Sequence, residues 1–479
     1  MHDIRVFYCF IKVLFYILSM DIDKKNEIFA HIETKFDLWV EELKKLIAIE
    51  SISFQSGNPD LSVKCANHCK YLLERSGLEN VCLLEVENAP PYVYADWLYA
   101  SNAPTVLLYA HYDVQPPMRD DKWDSPPFEG VVRKNRLYGR GSADDKAAII
   151  LHLASIAAFL DNNLKLPVNV KILIEGEEEI GSPNIDRFLS LHKDKLTSDM
   201  IIIPDSNNFD TGIPTITTSL RGLVSMELEV QTTLSPLHSG LYGGPLPDPI
   251  MELSKIISSL VDNNGKILIP ELYKMVKPLE DVEKKNIEKV IVDIPYFSKQ
   301  IKLLDNVKLK CSEQDLFFKL WREPSLVINS FQSGGRAIAG NVIMDKAWCR
   351  LGIRTVADME PEKTYSLLKA KLESLASEYV SLTIKKDATT SAWCADINNK
   401  YLNTKASALS EGFERETVFA GCGATIPFAG IISDALGGIP AILTGVGDPY
   451  TNAHSENESL DLNDFKKLII SESLFFMIL

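Results

Sequence analysis

The chain has 479 residues, more than one ordinary domain accommodates, so two are expected. Hydrophobic residues at 46% and charged residues at 24% fit a globular enzyme and exclude a disordered or collagen-like chain. A formal net charge of −15 argues against a nucleic-acid-binding surface, while leaving room for a carboxylate site that holds cations.

In chain order, Val6 to Met20 is strongly apolar and follows Arg5, as a signal h-region would. Lys12 interrupts it, however, and no small-x-small cleavage site follows. It is also short for a transmembrane helix. Met20 precedes Asp21-Ile22-Asp23-Lys24-Lys25 and is a plausible start. Residues 1–20 are therefore read as an extension outside the fold, with a membrane anchor as the alternative. From Asn26 to Ile49, apolar residues recur at helical spacing (Ile28, Ile32, Phe36, Val40, Leu43), and a second helix is predicted from Leu61 to Ser76. Strands are predicted at Val81–Val86, Thr105–Ala110, Val168–Ile174 and Met200–Ile203, with helices at Asp145–Leu160 and from Ser182-Pro183. Alternation of helices with near-continuous apolar strands points to an α/β domain with a mainly parallel sheet and helices on both faces.

The pattern changes near Thr217. Leu220–Gln231 alternates as a half-buried strand does, a helix follows at Asp248–Val261, and further strands at Trp348–Thr355 and Val380–Lys385 flank a helix at Pro361–Ser377. We read residues 217–387 as an inserted α+β lid or dimerisation domain, and 21–216 with 388–479 as a discontinuous catalytic domain. Eight scattered cysteines (Cys9, Cys65, Cys69, Cys82, Cys311, Cys349, Cys394, Cys422) form no Cys-x-x-Cys pair and read as reduced thiols of a cytosolic protein. Cys65, His68 and Cys69 share a helix face, where small buried residues are the simpler reading.

Five motifs carry the chemistry. The strand Leu107-Leu108-Tyr109-Ala110 ends in His111-Tyr112-Asp113, an imidazole at the mouth of a buried strand with a carboxylate placed to fix its tautomer. Gly139-Arg140-Gly141-Ser142-Ala143-Asp144-Asp145-Lys146 turns tightly into a helix. Glu175-Gly176-Glu177-Glu178-Glu179 and Pro204-Asp205-Ser206 each follow apolar strands, a costly place for unpaired charge that nearby cations would relieve. Asn452-Ala453-His454-Ser455-Glu456-Asn457-Glu458 is the fifth. His111, Asp144, Glu179, Asp205 and His454 supply two imidazoles and three carboxylates, a set suited to divalent ions such as Zn²⁺ or Mn²⁺. Two metals sharing a carboxylate suit hydrolysis, and Glu178, adjacent to Glu179, stands where a general base belongs.

In this order the motifs resemble the co-catalytic zinc peptidase family of carnosinases, aminoacylases and carboxypeptidase G, over about residues 26 to 475. The resemblance implies that His111 and Asp205 bind one metal, that Glu179 and His454 bind the other, and that Asp144 bridges them. Zinc is the expected ion, with manganese or cobalt as alternatives. It further implies a cis bond at Asp144–Asp145, Asp113 orienting His111, and Glu178 activating water. His238, in Leu237-His238-Ser239-Gly240, would stabilise the oxyanion from the partner subunit of a homodimer. Asn341 and Arg354 resemble the lid residues that bind the substrate carboxylate. The family often has Arg-Glu-Gly-Gly-Ser-Ile-Pro where this chain has Gly421-Cys422-Gly423-Ala424-Thr425-Ile426-Pro427, so contacts there must differ, although Thr425 offers a hydroxyl in place of serine. Aspartate at 205 and the long insertion favour the dipeptidase branch. The expectation is a cytoplasmic, dimeric dipeptidase acting on short peptides, with no nucleic-acid or membrane partner. An N-acyl-amino-acid deacylase of the same family is the alternative, and a non-catalytic scaffold on the same fold is the alternative of a different class.

Overall fold

The computed structural model describes residues 2–54, 56–290, 294–335, 340–424 and 426–479; for 2–21 and 427 it describes the backbone only. The chain forms two compact units, one comprising Met1–Thr217, Ala395–Phe419 and Ile431–Leu479, the other Thr218–Cys394 and Ala420–Gly430.

The first unit is built on a sheet whose strands lie in the order Glu79–Leu84, Tyr92–Trp97, Asn169–Glu175, Thr105–His111, Met200–Asn207, Ala441–Gly447 and the first half of Thr215–Leu220, the strand in which the unit's first segment ends. Its four central strands, from Asn169–Glu175 to Ala441–Gly447, run parallel, and antiparallel strands flank them. The central strands are buried almost throughout, which requires cover on both faces and explains their unbroken apolar runs. The helix Lys146–Leu160 is buried on nearly every side between the sheet and the helices His2–Ile47 and Leu462–Ile478, hence its Ala, Ile and Leu content. The helix Pro59–Arg75 starts where expected, with Asn58 capping the Asp60 N–H at 3.0 Å and Pro59 in its first turn. The first helix is continuous from His2 to Ile47, so the backbone of residues 2–20 extends the helix predicted from Asn26. Among the described residues, no helix is long and apolar enough to cross a membrane.

The second unit carries a four-stranded antiparallel sheet in the order Ser325–Gln332, Lys346–Thr355, Gly222–Gln231 and Ser381–Thr390. Leu228, Val230, Leu351 and Ile353 join Leu253, Ile256, Leu368 and Leu372 of the helices Pro249–Ser258 and Pro361–Leu375 in one core. This sheet is covered on one side, which is why its strands alternate in the sequence. The unit also takes in Ala420–Gly430, which the domain boundaries expected from the sequence assign to the catalytic domain. Hydrogen bonds account for the difference: the Arg221 backbone N–H donates to the Ala424 carbonyl at 3.1 Å and the Thr218 side-chain hydroxyl to the Ala420 carbonyl at 3.2 Å.

Candidate metal centre

Parallel strands end on the same side of a sheet, so the residues at and just beyond their carboxyl ends gather in one place. His111 closes its strand in register with Glu175, and Glu178 and Glu179 come next in a single 3-10 turn. Asp205 lies near the end of Met200–Asn207. Asp144 sits just before the helix Lys146–Leu160, next to the cis bond Asp144–Asp145. His454 lies in the loop after Ala441–Gly447, with a φ of 63°.

These side chains form two overlapping groups, His111 with Asp144 and Asp205, and Asp144 with Glu179 and His454; within each group the ligand atoms lie within 4.8 Å of one another. Asp144 is common to both and its two oxygens diverge. Oδ1 lies 3.2 Å from His111 Nε2, and Oδ2 lies 3.0 Å from His454 Nε2. His111 Nε2 is also 3.9 Å from Asp205 Oδ2, and His454 Nε2 is 3.1 Å from Glu179 Oε2. His111 is fully buried, whereas the His454 side chain is 56% exposed.

The donor set fits a pair of divalent cations. His111 Nε2 is buried and makes no aligned hydrogen bond among the described residues, which suits a ring nitrogen whose lone pair goes to a cation. Electrostatics point the same way. Burial works against a charged His111, but Asp113, Asp144 and Asp205 outweigh it and push the imidazole well above its ordinary value. Burial also opposes ionisation of Asp144, yet His111 and His454 hold it below the usual carboxylate range. Asp144 and Glu179 push His454 up to about 10. The remaining acids go the other way: burial pushes Asp205 well up and raises Glu179 too, helped by the charge on Asp144. Two imidazoles thus do not neutralise the carboxylates assembled here, and added positive charge would let all of them ionise.

The supporting contacts are specific. His111 Nδ1 lies 3.0 Å from the Asp113 carbonyl and 3.4 Å from Asp113 Oδ1, which leaves Nε2 directed at the acidic groups. Asp113 has a second task that the sequence did not reveal. Its carboxylate accepts the backbone N–H groups of Glu178 and Glu179, at 3.2 and 3.1 Å, so it fixes the acidic turn as well as the histidine. Gln115 grips Glu179 through its backbone N–H at 3.1 Å and its side-chain amide at 2.7 Å. Glu177, first of the acidic run, is structural: it accepts from Tyr92 and from the amide of Asn184, each at 2.8 Å. Glu178 precedes Glu179 in the same turn, and burial and the charge on Glu179 push its carboxyl up to about 7.

The other predicted site residues belong to the second unit. Leu237–His238 pairs antiparallel with Val342–Ile343, and the Ser239 N–H donates to the Asn341 carbonyl at 2.9 Å, so the His238 and Asn341 loops are neighbours. His238 Nδ1 accepts the Gly240 N–H at 3.1 Å, which places the proton of a neutral ring on Nε2 of an exposed side chain. Arg354 lies opposite Leu223 and Ser325 in the four-stranded sheet. Thr425 lies outside the described residues.

Residues 107–472, which span all of these candidate ligands, match the family model for peptidase family M20/M25/M40. A Cys-Gly metallodipeptidase, DUG1, of Candida albicans is 31% identical, over 91% of this chain and 94% of that protein. A Beta-Ala-His dipeptidase of Rattus norvegicus is 27% identical, over 91% and 92%. The solved structure of the di-peptidase Dug1p from Saccharomyces cerevisiae superposes with a TM-score of 0.81 at 27% identity, covering 95% of this chain and 98% of that one.

Proposed function

We propose, starting from the fact that the chain belongs to peptidase family M20/M25/M40, that it is a metal-dependent dipeptidase that hydrolyses the amide bond of dipeptides and other short peptides. The observation that carries this reading is Asp144, whose two oxygens face two different imidazoles, each inside its own set of candidate ligands. The named dipeptidases aligned over nine-tenths of the chain support the substrate class. In this reading His111 and Asp205 would hold one ion, Glu179 and His454 the other, and Asp144 would be the ligand common to both. When bound, the two ions, taken to be zinc, supply Lewis acidity that lowers the pKa of a water and polarises a carbonyl.

The protein's own groups do the rest. Glu178, with its pKa raised toward neutrality, takes a proton from the attacking water and passes it to the departing amine. Asp113 keeps Glu178 in place through the backbone and keeps the His111 ring in one tautomer. His238, donating from Nε2, neutralises charge developing on the carbonyl oxygen, and Arg354 and Asn341 receive the substrate carboxylate. The homodimer, in which His238 serves the partner's site, and a cytoplasmic location belong to this proposal. A substrate panel tests it: turnover of unmodified dipeptides should exceed that of N-acetyl and N-succinyl amino acids at least tenfold. The opposite ranking would replace the dipeptidase with an N-acyl-amino-acid deacylase.

A further inference from the structure

We infer that the buried pair Arg140–Glu458 is a positioning device that sets the spacing of Asp144 and His454 and thereby the affinity for metal. The inference rests on reading those two residues as ligands. Glu458 lies four residues after His454 and is fully buried. Its carboxylate has about four lone-pair sites, and each meets a donor. Oε1 accepts the backbone N–H groups of Ala143 and Asp144, both at 3.1 Å. Oε2 accepts the Gly141 N–H at 3.1 Å and Arg140 Nη1 at 2.5 Å. One of these donors is the backbone of Asp144 itself, so a displaced carboxylate displaces the residue whose oxygens face both histidines.

Arg140 closes the arrangement from the other side. Its Nη2 donates to the carbonyls of Ser455 and Pro116, both at 3.1 Å. Ser455 is adjacent to His454, and Pro116 is adjacent to Gln115, which grips Glu179. One ion pair therefore ties three loops together: the loop after His111, the turn bearing Asp144 and the loop bearing His454. A planar guanidinium can reach a carboxylate and two carbonyls at once in a way that an ammonium cannot. Neither side chain lies in the two ligand groups, so the role is positioning rather than catalysis.

Glutamine at 458 is a severe probe despite its similar shape. One of its two terminal atoms becomes an NH₂ donor. Whichever way the amide turns, two of the four existing donors then face a donor, and Arg140 loses its counter-charge. Arg140→Lys is milder, since it keeps the charge but gives up the fork. The test is zinc titration of chelator-stripped wild type, Glu458→Gln and Arg140→Lys against a chromophoric chelator, with melting of each metal-free protein in parallel. We expect both variants to bind zinc about 10- to 100-fold more weakly. Arg140→Lys should be the less affected, and high zinc should restore kcat with KM for a dipeptide unchanged. A folded variant that binds zinc within twofold of wild type, with only its metal-free melting temperature lowered, overturns the inference. Should Glu458→Gln fail to fold, Arg140→Lys decides by the same criterion. Wild type that binds no zinc refutes the metal-site reading itself, a result distinct from equal affinity in wild type and variant.

Discussion

Among the described residues, the Glu178 carboxylate makes no side-chain hydrogen bond, whereas Glu177 holds Tyr92 and Asn184, and Glu179 is held by Gln115 and faces His454. Burial pushes its carboxyl up to about 7, so near neutrality it can both accept and return a proton. Replacement by Gln should lower kcat by about 10²- to 10⁴-fold, with zinc content, measured by atomic absorption, unchanged. The base acts only when ionised, so kcat/KM of the wild type should fall as pH drops through its pKa. Bound cations favour the carboxylate, which places that limb below about 7. An equally active Glu178→Gln enzyme, or one that keeps the same acid limb, would assign the base elsewhere. At this scale the sequence reaches the side chains that the structure gathers, because each follows a strand or a glycine turn and carries a distinctive residue type. It gives Glu458 no role within its motif, because the Arg140 guanidinium and three main-chain N–H groups that meet it lie more than 300 residues earlier. Nor does it show Asp113 holding the acidic turn, because a backbone donor leaves no trace in composition.

Elements were legible where their periodicity was strong, as in the helix Pro361–Leu375, and less so where short segments are fixed by tertiary contacts. The helix expected from Ser182-Pro183 begins only at Ile185, because a 3-10 turn at Glu178–Ile180 and a left-handed Ser182, φ 49°, intervene. Hidden as well was a buried polar link behind the His111 strand. His152 of the helix Lys146–Leu160 contacts Glu472 at 2.7 Å through Nδ1 and the Tyr109 carbonyl at 3.0 Å through Nε2. Lys405 completes it, 3.4 Å from Glu472. In sequence these are three polar residues on three separate helices. Burial works against ionisation of Glu472, but the charges of His152 and Lys405 outweigh it and hold the carboxyl below its ordinary value. A carboxyl depressed in the folded state contributes stability above its unfolded pKa and loses it as pH falls through the folded pKa. Lys405→Met keeps the volume and removes one cation, so the buried carboxylate is left under-compensated. We expect a loss of about 3–5 kcal/mol in urea unfolding at pH 7. Acid unfolding should begin at higher pH than in wild type. A loss under 1 kcal/mol would mean that His152 alone balances Glu472.

For the whole molecule, the proposed chemistry draws its residues from both stretches of the chain. The candidate ligands and Glu178 belong to the first unit, and His238, Asn341 and Arg354 to the second. In the proposed homodimer each site takes its base from one subunit and its oxyanion donor from the other. Glu178→Gln and His238→Ala are then complementary defects rather than two versions of one. A homodimer of either has two deficient sites. A mixed dimer has one site that lacks both groups and one with Glu178 and His238 both intact. His238→Ala alone should lower kcat by about 10²- to 10³-fold, the usual cost of an oxyanion donor, and should leave metal content untouched. If the two inactive proteins are mixed in equal amounts and allowed to exchange subunits, random pairing makes half of all dimers mixed, and a quarter of the wild-type activity should return. Light scattering confirms the dimer, and differently tagged subunits confirm exchange. Full exchange with no recovery would place His238 in the site of its own chain or remove it from catalysis, and recovery of the dipeptidase rate by His238→Ala alone would exclude it outright.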